Sequence, residues 1–252
     1  MNDEIILETR KLSKEFRGFL AVSDVNLRVR RGSIHGLIGP NGAGKTTVFN
    51  LLTKFLMPTS GTILYRGEDI TGVRPPAVAR RGLVRSFQIS STFPHMTVLE
   101  NVRIALQRKT GNSFEFWRSA DSLARLDARA IEILESVELA GEAQRKAVEL
   151  PYGRKRALEL ATTLALEPEL LLLDEPTQGM AHEDVGRVTE LIRKVAAGRT
   201  ILMVEHNLGV VEHLCDRLTV LQHGSILAEG SYKEVSADPR VLEAYVGVTE
   251  DE

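Results

Sequence analysis

Residues 39–47 read Gly39-Pro40-Asn41-Gly42-Ala43-Gly44-Lys45-Thr46-Thr47. They fit Gly-x4-Gly-Lys-Ser/Thr, the spacing of a loop that holds the phosphates of a nucleotide. Gly39, Gly42 and Gly44 can adopt backbone angles closed to other residues, so successive amides can point inward at an anion. Lys45 can bring a full positive charge to the β- and γ-phosphates, and the Thr46 hydroxyl stands where it can ligate Mg²⁺. A glycine-rich turn before an amphipathic helix is the plain alternative; it leaves the Lys and Thr in register without a purpose. The segment therefore predicts a site for a nucleoside triphosphate.

A second set of polar residues stands at the ends of apolar runs. Leu170-Leu-Leu-Leu173 runs into Asp174-Glu175, followed by Pro176 and Thr177. Asp174 at a strand tip can hold Mg²⁺, directly or through water, opposite Thr46. Glu175 follows where a water could be oriented and partly deprotonated for attack on the γ-phosphate. A helix cap would use the same residues, and the pair gains meaning only together with the phosphate loop. Leu202-Met-Val-Glu205-His206 ends in a histidine that can reach a γ-phosphate oxygen or the attacking water, or serve structure alone. The strand Leu83–Phe87 delivers Gln88 at its end, where open parallel sheets face their ligand; an exposed polar strand end is the other reading. Phe16, upstream of the loop, can stack on an adenine ring or be a core or hairpin residue.

These groups need elements to carry them. Ile34–Ile38 reads as a short buried strand and Thr46–Leu56 as a helix, the strand–loop–helix setting the phosphate motif requires. Behind the glycines, that helix aims its positive dipole end and free N–H groups at the anion. Ile5–Thr9 and Val25–Val29 alternate like strands with one buried face. Pro58-Thr-Ser-Gly61 is a turn before a strand at Thr62–Tyr65, and Pro75-Pro76 opens a short basic helix ending at Arg80-Arg81-Gly82.

From Ser90 to about Glu149 the pattern becomes helical, with a capping box at Thr97 and Glu100. Leu123, Leu126, Ala130, Ile133, Leu134 and Val137 recur at helical spacing. Phe114, Phe116 and Trp117 form an aromatic connector. This stretch predicts a helical subdomain set into the α/β domain. Strand and helix then alternate through Glu169–Asp174, Val185–Ala196, Thr200–Glu205, Leu208–Leu214, Arg217–Gln222 and Ile226–Glu229. His223-Gly224 forms a hairpin turn, and Val241–Val246 is a last short helix before a frayed acidic end.

Composition narrows the classes. The chain has 252 residues, a net charge of −2 and a hydrophobic share of 43%, as expected of one large globular domain. Bulk nucleic-acid binding would leave a strong basic excess. The single cysteine, Cys215, excludes an internal disulfide and suits a reducing compartment, and its apolar neighbours make it a core thiol. Asp3 and Glu4 stand where a signal peptide would carry positive charge, and no apolar run approaches a bilayer span. The expectation is a cytoplasmic protein.

On the loop at 39–47, Gln88, Leu150-Pro-Tyr-Gly-Arg154, Leu-Leu-Leu-Asp-Glu-Pro-Thr (171–177) and His206, the chain resembles the ATP-binding subunit of ABC transporters across almost its whole length. Weaker features point to the branch serving branched-chain amino acid uptake: Ala-Val-Ser-Asp-Val near the start, Met-Thr-Val-Leu-Glu-Asn-Val (96–102), Val-Glu-His-Asn (204–207) and Glu-Ala-Tyr-Val-Gly at the end.

The resemblance implies an α/β fold: a P-loop NTPase core of the ABC ATPase type, with an antiparallel β subdomain and an inserted helical subdomain near 90–165. It also implies a head-to-tail dimer, with itself or a paralogous ATPase, around two ATP and Mg²⁺. Transmembrane permease subunits and, indirectly, an extracytoplasmic solute-binding protein complete the implied assembly, and the chain would be peripheral on the inner membrane face. Phe16 becomes the adenine-stacking aromatic. Gln88 becomes a catalytic and metal-facing residue that touches the permease. Leu150–Arg154, with Gly153 before a helix at about 154–166, caps the partner's nucleotide.

Two departures stand out: Pro151 replaces the usual serine, and Ala181 ends a segment that usually closes on Asp or Asn. Losing charge-assisted contacts to a phosphate costs about 1.5–3 kcal/mol each. The site capped by this chain is therefore expected to be weaker, unless Gly153 and Arg154 compensate. An ABC-type ATPase serving chromosomes, repair or ribosomes is the alternative. A P-loop kinase would explain 39–47 but not Gln88, the 150–154 segment and His206.

Overall fold

A computed structural model describes residues 4–86, 92–109 and 120–246. The chain opens with β1 (Ile5–Phe16), which turns through Arg17 and Gly18, both at positive φ, into β2 (Phe19–Val25). β3 (Arg28–Arg30) lies antiparallel on β1. β4 (Ile34–Ile38) leads to the phosphate loop and α1 (Lys45–Leu52). β5 (Ser60–Tyr65), β6 (Glu68–Asp69), α2 (Pro75–Arg80) and β7 (Leu83–Ser86) come next.

The middle of the chain is helical: α3 (Val98–Lys109), α4 (Ala120–Ser136) and α5 (Tyr152–Leu164). β8 (Leu170–Asp174), α6 (His182–Ala196), β9 (Thr200–Val204) and α7 (Leu208–Leu214) restore the alternation. β10 (Arg217–Gln222), β11 (Ser225–Gly230), α8 (Tyr232–Ser236) and α9 (Pro239–Val246) complete it.

Two sheets form. One is antiparallel, in the order β2-β1-β5-β6 with β3 on β1; the other runs β11-β10-β4-β9-β8-β7. From β10 to β7 the second sheet is parallel, and only the β11 edge runs against it. The four leucines of β8 show why its sequence does not alternate. Leu170 and Leu172 pack with Ile6, Leu7, Val48 and Phe49 between the sheets, while Leu171 and Leu173 pack with Leu134, Leu158, Leu164 and Ile192 below. A strand buried on both faces needs apolar residues at every position. The α3, α4 and α5 side chains thus share one core with the underside of the parallel sheet.

Several boundaries differ from the sequence reading. α1 stops at Leu52 rather than Leu56, because the Thr53 hydroxyl returns to Phe49 O at 2.7 Å and Lys54 takes φ +65°. β1 is longer than Ile5–Thr9, and its hairpin partner β2 ends at the Val25 where a strand was expected to begin. α8 was not anticipated; Ser231 and Glu234 cap it reciprocally. The capping box at Thr97 forms as expected: Glu100 N donates to Thr97 Oγ1 at 3.1 Å, and Thr97 N to Glu100 Oε2 at 2.8 Å. His223 and Gly224 make the hairpin turn at φ +47° and +78°. Cys215 is largely buried and burial pushes its thiol up to about 12, as befits a core residue. Gln88, the aromatic connector at 114–117 and the acidic end lie outside the described residues.

Candidate functional site

Parallel register sets the tips of three strands side by side. Leu37 of β4 and Asp174 of β8 both pair with Val204 of β9, the central strand of the three. The segments that leave these tips therefore share one edge of the sheet: the phosphate loop after Ile38, Glu175 after Asp174, and Glu205-His206 after Val204.

The loop is built for close backbone approach. Gly39 has φ +147°, and a β-carbon there would stand 2.1 Å from the Leu221 carbonyl oxygen. At Gly44, φ is +99° and a β-carbon would meet Ala21 O at 2.7 Å. Only glycine fits either position. Ala43 is buried, and its carbonyl accepts from Gly224 N at 3.0 Å, so the β10–β11 hairpin braces the loop. Gly44 is the N-cap of α1 and no side chain caps that end. The first-turn amides thus keep their capacity for an anion. Lys45 is 8% exposed, and its ammonium donates to Gly39 O at 2.7 Å and Pro40 O at 2.9 Å. Burial lowers its pKa, while the nearby Glu175 and Asp174 carboxylates act in the opposite direction. That mutual influence brings the cation of the loop and the acids of β8 into one electrostatic site. Pro40 is half-buried, Asn41, Gly42 and Thr46 are exposed, and Thr47 is half-buried.

Asp174 is buried and accepts a short hydrogen bond from Arg85 Nη2 through Oδ2. Arg85 comes from β7, also donates to Asn50 Oδ1 at 2.7 Å, and stands 5.7 Å from the centre of the Phe49 ring. An arginine thus fixes the carboxylate expected to face a metal through its Oδ2. Thr46 hydroxyl and Asp174 carboxylate are the hard oxygen donors a divalent cation such as Mg²⁺ takes. Among the described residues, no three His, Cys, Asp or Glu side chains cluster as a metal cage. Arg85 was missed by sequence reading; its signal is a charged residue inside an otherwise apolar strand.

Glu175 takes φ +45°, and its amide donates to Val204 O at 2.9 Å. Glu205, expected only as strand, is a structural centre: its side chain is fully buried. One carboxylate oxygen accepts from Thr177 N at 3.0 Å and from the Thr177 hydroxyl; the other accepts from His206 N at 2.9 Å and Asn207 N at 3.1 Å. His206 itself is 55% exposed, with Nδ1 4.0 Å from Glu205 Oε2. Phe16 is not a core residue. It is 41% exposed at the β1–β2 turn, opposite Phe19, with the Lys14 ammonium 5.1 Å from its ring centre. The same hairpin supplies the Ala21 carbonyl that presses on Gly44.

The 150–154 segment departs from expectation in two ways. α5 begins at Tyr152, so Gly153 lies in its first turn rather than before it, and Pro151 is the N-cap at φ −59° and ψ 160°. Proline at that angle is a natural way into a helix but supplies no capping side chain. Arg154 does not stand ready as a substitute contact: it donates to Glu138 O at 2.8 Å and pairs with Glu142 at 3.2 Å. Its guanidinium is engaged within this chain. Beside Gly153 lies Asp184, whose Oδ1 would be 3.1 Å from a β-carbon there.

Comparison with known proteins agrees with this geometry. The family described as "ABC transporter" matches residues 22–178, and "Branched-chain amino acid ATP-binding cassette transporter" matches residues 225–251. The chain is 40% identical over 250 residues to the high-affinity branched-chain amino acid transport ATP-binding protein LivG of Escherichia coli K12, covering 96% of this chain and 98% of that protein. Among solved structures, the ADP conformation of MJ1267, an ATP-binding cassette of an ABC transporter, superposes with a TM-score of 0.85 at 32% identity, over 97% of this chain and 99% of the other. The dimeric structure of MJ0796, a bacterial ABC transporter cassette, gives a TM-score of 0.75 at 25% identity, over 90% and 98%. Matched by the family model over residues 22–178 and by relatives along nearly its whole length, the chain belongs to the ABC transporter family and is an ATPase of its cassette type.

Proposed function

We propose that this chain is the ATP-hydrolysing motor of an importer for branched-chain amino acids or related small solutes. The observation that carries the reading is the approach of Lys45, at the start of α1, to Asp174 and Glu175 at the tip of β8, with His206 on the same edge. Lys45 places its charge on the β- and γ-phosphates, and the α1 amides and glycine loop hold their oxygens. Thr46 and Asp174 would hold Mg²⁺, which when bound would neutralise charge across the phosphates. Glu175 takes a proton from the attacking water, and His206 orients that water and the γ-phosphate oxygen. Phe16 offers its exposed face to the adenine, Gly153 offers the α5 amides to a partner's nucleotide, and Gln88 senses the γ-phosphate.

In this reading two cassettes, identical or paralogous, close around two nucleotides, and closure moves a transmembrane permease fed by an extracytoplasmic solute-binding protein. The chain would sit on the inner face of the membrane; among the described residues no helix is long and apolar enough to cross it. The transport roles of the relatives favour this over a cassette serving chromosomes or ribosomes. Because Pro151 gives no hydroxyl and Arg154 is engaged elsewhere, a site capped by this chain is weaker than one capped by a paralogue that keeps the serine.

Glu175→Gln tests the centre of the proposal. It should bind MgATP with near-unchanged affinity while turnover falls by at least about 100-fold, the scale of a lost general base. Turnover close to wild type would remove Glu175 from the role.

A further inference from the structure

Helix α5 grips the segment after β8 at two points. Arg156 is 11% exposed and directs its guanidinium at three consecutive carbonyls. Nη2 donates to Asp174 O at 3.1 Å and Glu175 O at 3.4 Å, and Nε donates to Pro176 O at 3.3 Å. Nη1 meets Glu159 Oε2 at 2.7 Å, a carboxylate on the same helix that is itself 9% exposed, so the cation is both balanced and aimed. Near the start of α5, the Tyr152 hydroxyl donates to Gln178 O at 3.1 Å.

Within the first of these grips lies Glu175, left-handed at φ +45° with its amide tied to Val204 O at 2.9 Å. A residue with a side chain keeps such a conformation only where its surroundings over-determine it. Here β9 holds it from one side and α5 from the other. A planar fork suits neighbouring carbonyls; a lysine ammonium is a single point of charge on a flexible stem.

We propose that Arg156 is a positioning residue for Glu175. Through the carbonyls of residues 174–176 it sets the direction from which the Glu175 carboxylate meets water, and with Tyr152 it makes α5 a stiff link. That link joins the helix end facing a partner's nucleotide to the acid of this chain's own site. The inference rests on the role proposed above for Glu175.

The test uses the purified full chain, measuring kcat and KM for MgATP hydrolysis, the Kd of a fluorescent ATP analogue, and the thermal midpoint of every variant. Arg156→Met should lower kcat by about 30-fold, the scale of a small misplacement of a catalytic group, with KM and Kd within about twofold. Arg156→Lys should recover part of that loss. In a Glu175→Gln background, Arg156→Met should change the residual rate by less than about twofold, because the group it positions is gone. An equal loss in both backgrounds, or kcat within twofold of wild type for Arg156→Met, overturns the proposal. Should Arg156→Met fail to fold, Tyr152→Phe decides: a two- to fivefold fall in kcat that disappears in the Glu175→Gln background supports the link, and an unchanged kcat overturns it. Near-wild-type turnover of Glu175→Gln alone is a different failure, that of the assignment of Glu175 itself.

Discussion

Replacing Glu205 by Gln should loosen the junction between two parts of the site without changing the volume of the core. The Glu205 carboxylate is fully buried and accepts four donors: Thr177 N, Thr177 Oγ1, His206 N and Asn207 N. A glutamine amide has one accepting oxygen. If that oxygen keeps the Thr177 pair, the NH₂ group faces the amides of His206 and Asn207, donor against donor; the flipped amide strands the buried Thr177 N–H instead, although its NH₂ can donate to the Thr177 hydroxyl. Two hydrogen bonds to a charged acceptor are lost either way, at about 1.5–3 kcal/mol each. His206 and Asn207 border exposed surface and can find water, whereas Thr177 is 5% exposed. The unflipped arrangement therefore wins, and the net loss falls near the lower bound, about 3 kcal/mol. Equilibrium urea unfolding followed by circular dichroism reads this as a lower midpoint at unchanged slope. ATP turnover should fall with it, because the His206 backbone loses its anchor. A stability change below about 1 kcal/mol would refute the idea that this carboxylate ties the two loops together.

The remaining predictions are simpler. His35 is 1% exposed and its Nε2 lies 2.8 Å from Thr219 Oγ1, whose own proton goes to Glu229 at 2.7 Å, so His35 is the neutral donor. Burial, with Arg217 nearby, lowers its pKa from 6.5 to about 4. The unfolded chain then binds this proton more readily than the native one. The stability His35 contributes is whole above pH 6.5 and is lost as pH falls towards 4, by about 3 kcal/mol in all; His35→Gln should flatten the stability profile across that window. Gly39→Ala should lower MgATP affinity by about 100-fold, roughly 3 kcal/mol, since the added carbon meets backbone rather than a side chain that can move. An affinity within twofold of wild type would contradict the placement of the loop.

What could be read from the chain divides by the range of the interaction. The phosphate loop is local chemistry: its glycines, Lys45 and Thr46 need only each other and the next turn of helix. The apolar strands ending in Asp174 and His206 carry their burial in composition, and the capping box at Thr97 lies within four residues. The contacts Arg85–Asp174, Arg156 with the carbonyls of 174–176, and Glu205–Thr177 join residues far apart in the chain. No spacing rule reports them. Helix ends were misread where the signal is conformational: Lys54 enters the left-handed region without being glycine, and Pro151 caps α5 so that the helix starts at Tyr152 rather than at about residue 154. The Ser231–Glu234 box obeys the same local rule as the one at Thr97, so α8 was legible in the chain.

The hairpin turn that braces the loop also bears on biosynthesis. Gly224 donates to Ala43 O, Ser23 N donates to Gly224 O, and Leu221 O walls the first glycine. A ribosome makes residues 39–47 well before residues 221–224, from which their support comes. Until that stretch has emerged, the nascent polypeptide lacks the backing that holds the loop open, and pairings of such long separation form late. The nucleotide-binding motif is thus made long before the hairpin that makes it competent, so a product truncated before residue 221 would not sequester ATP.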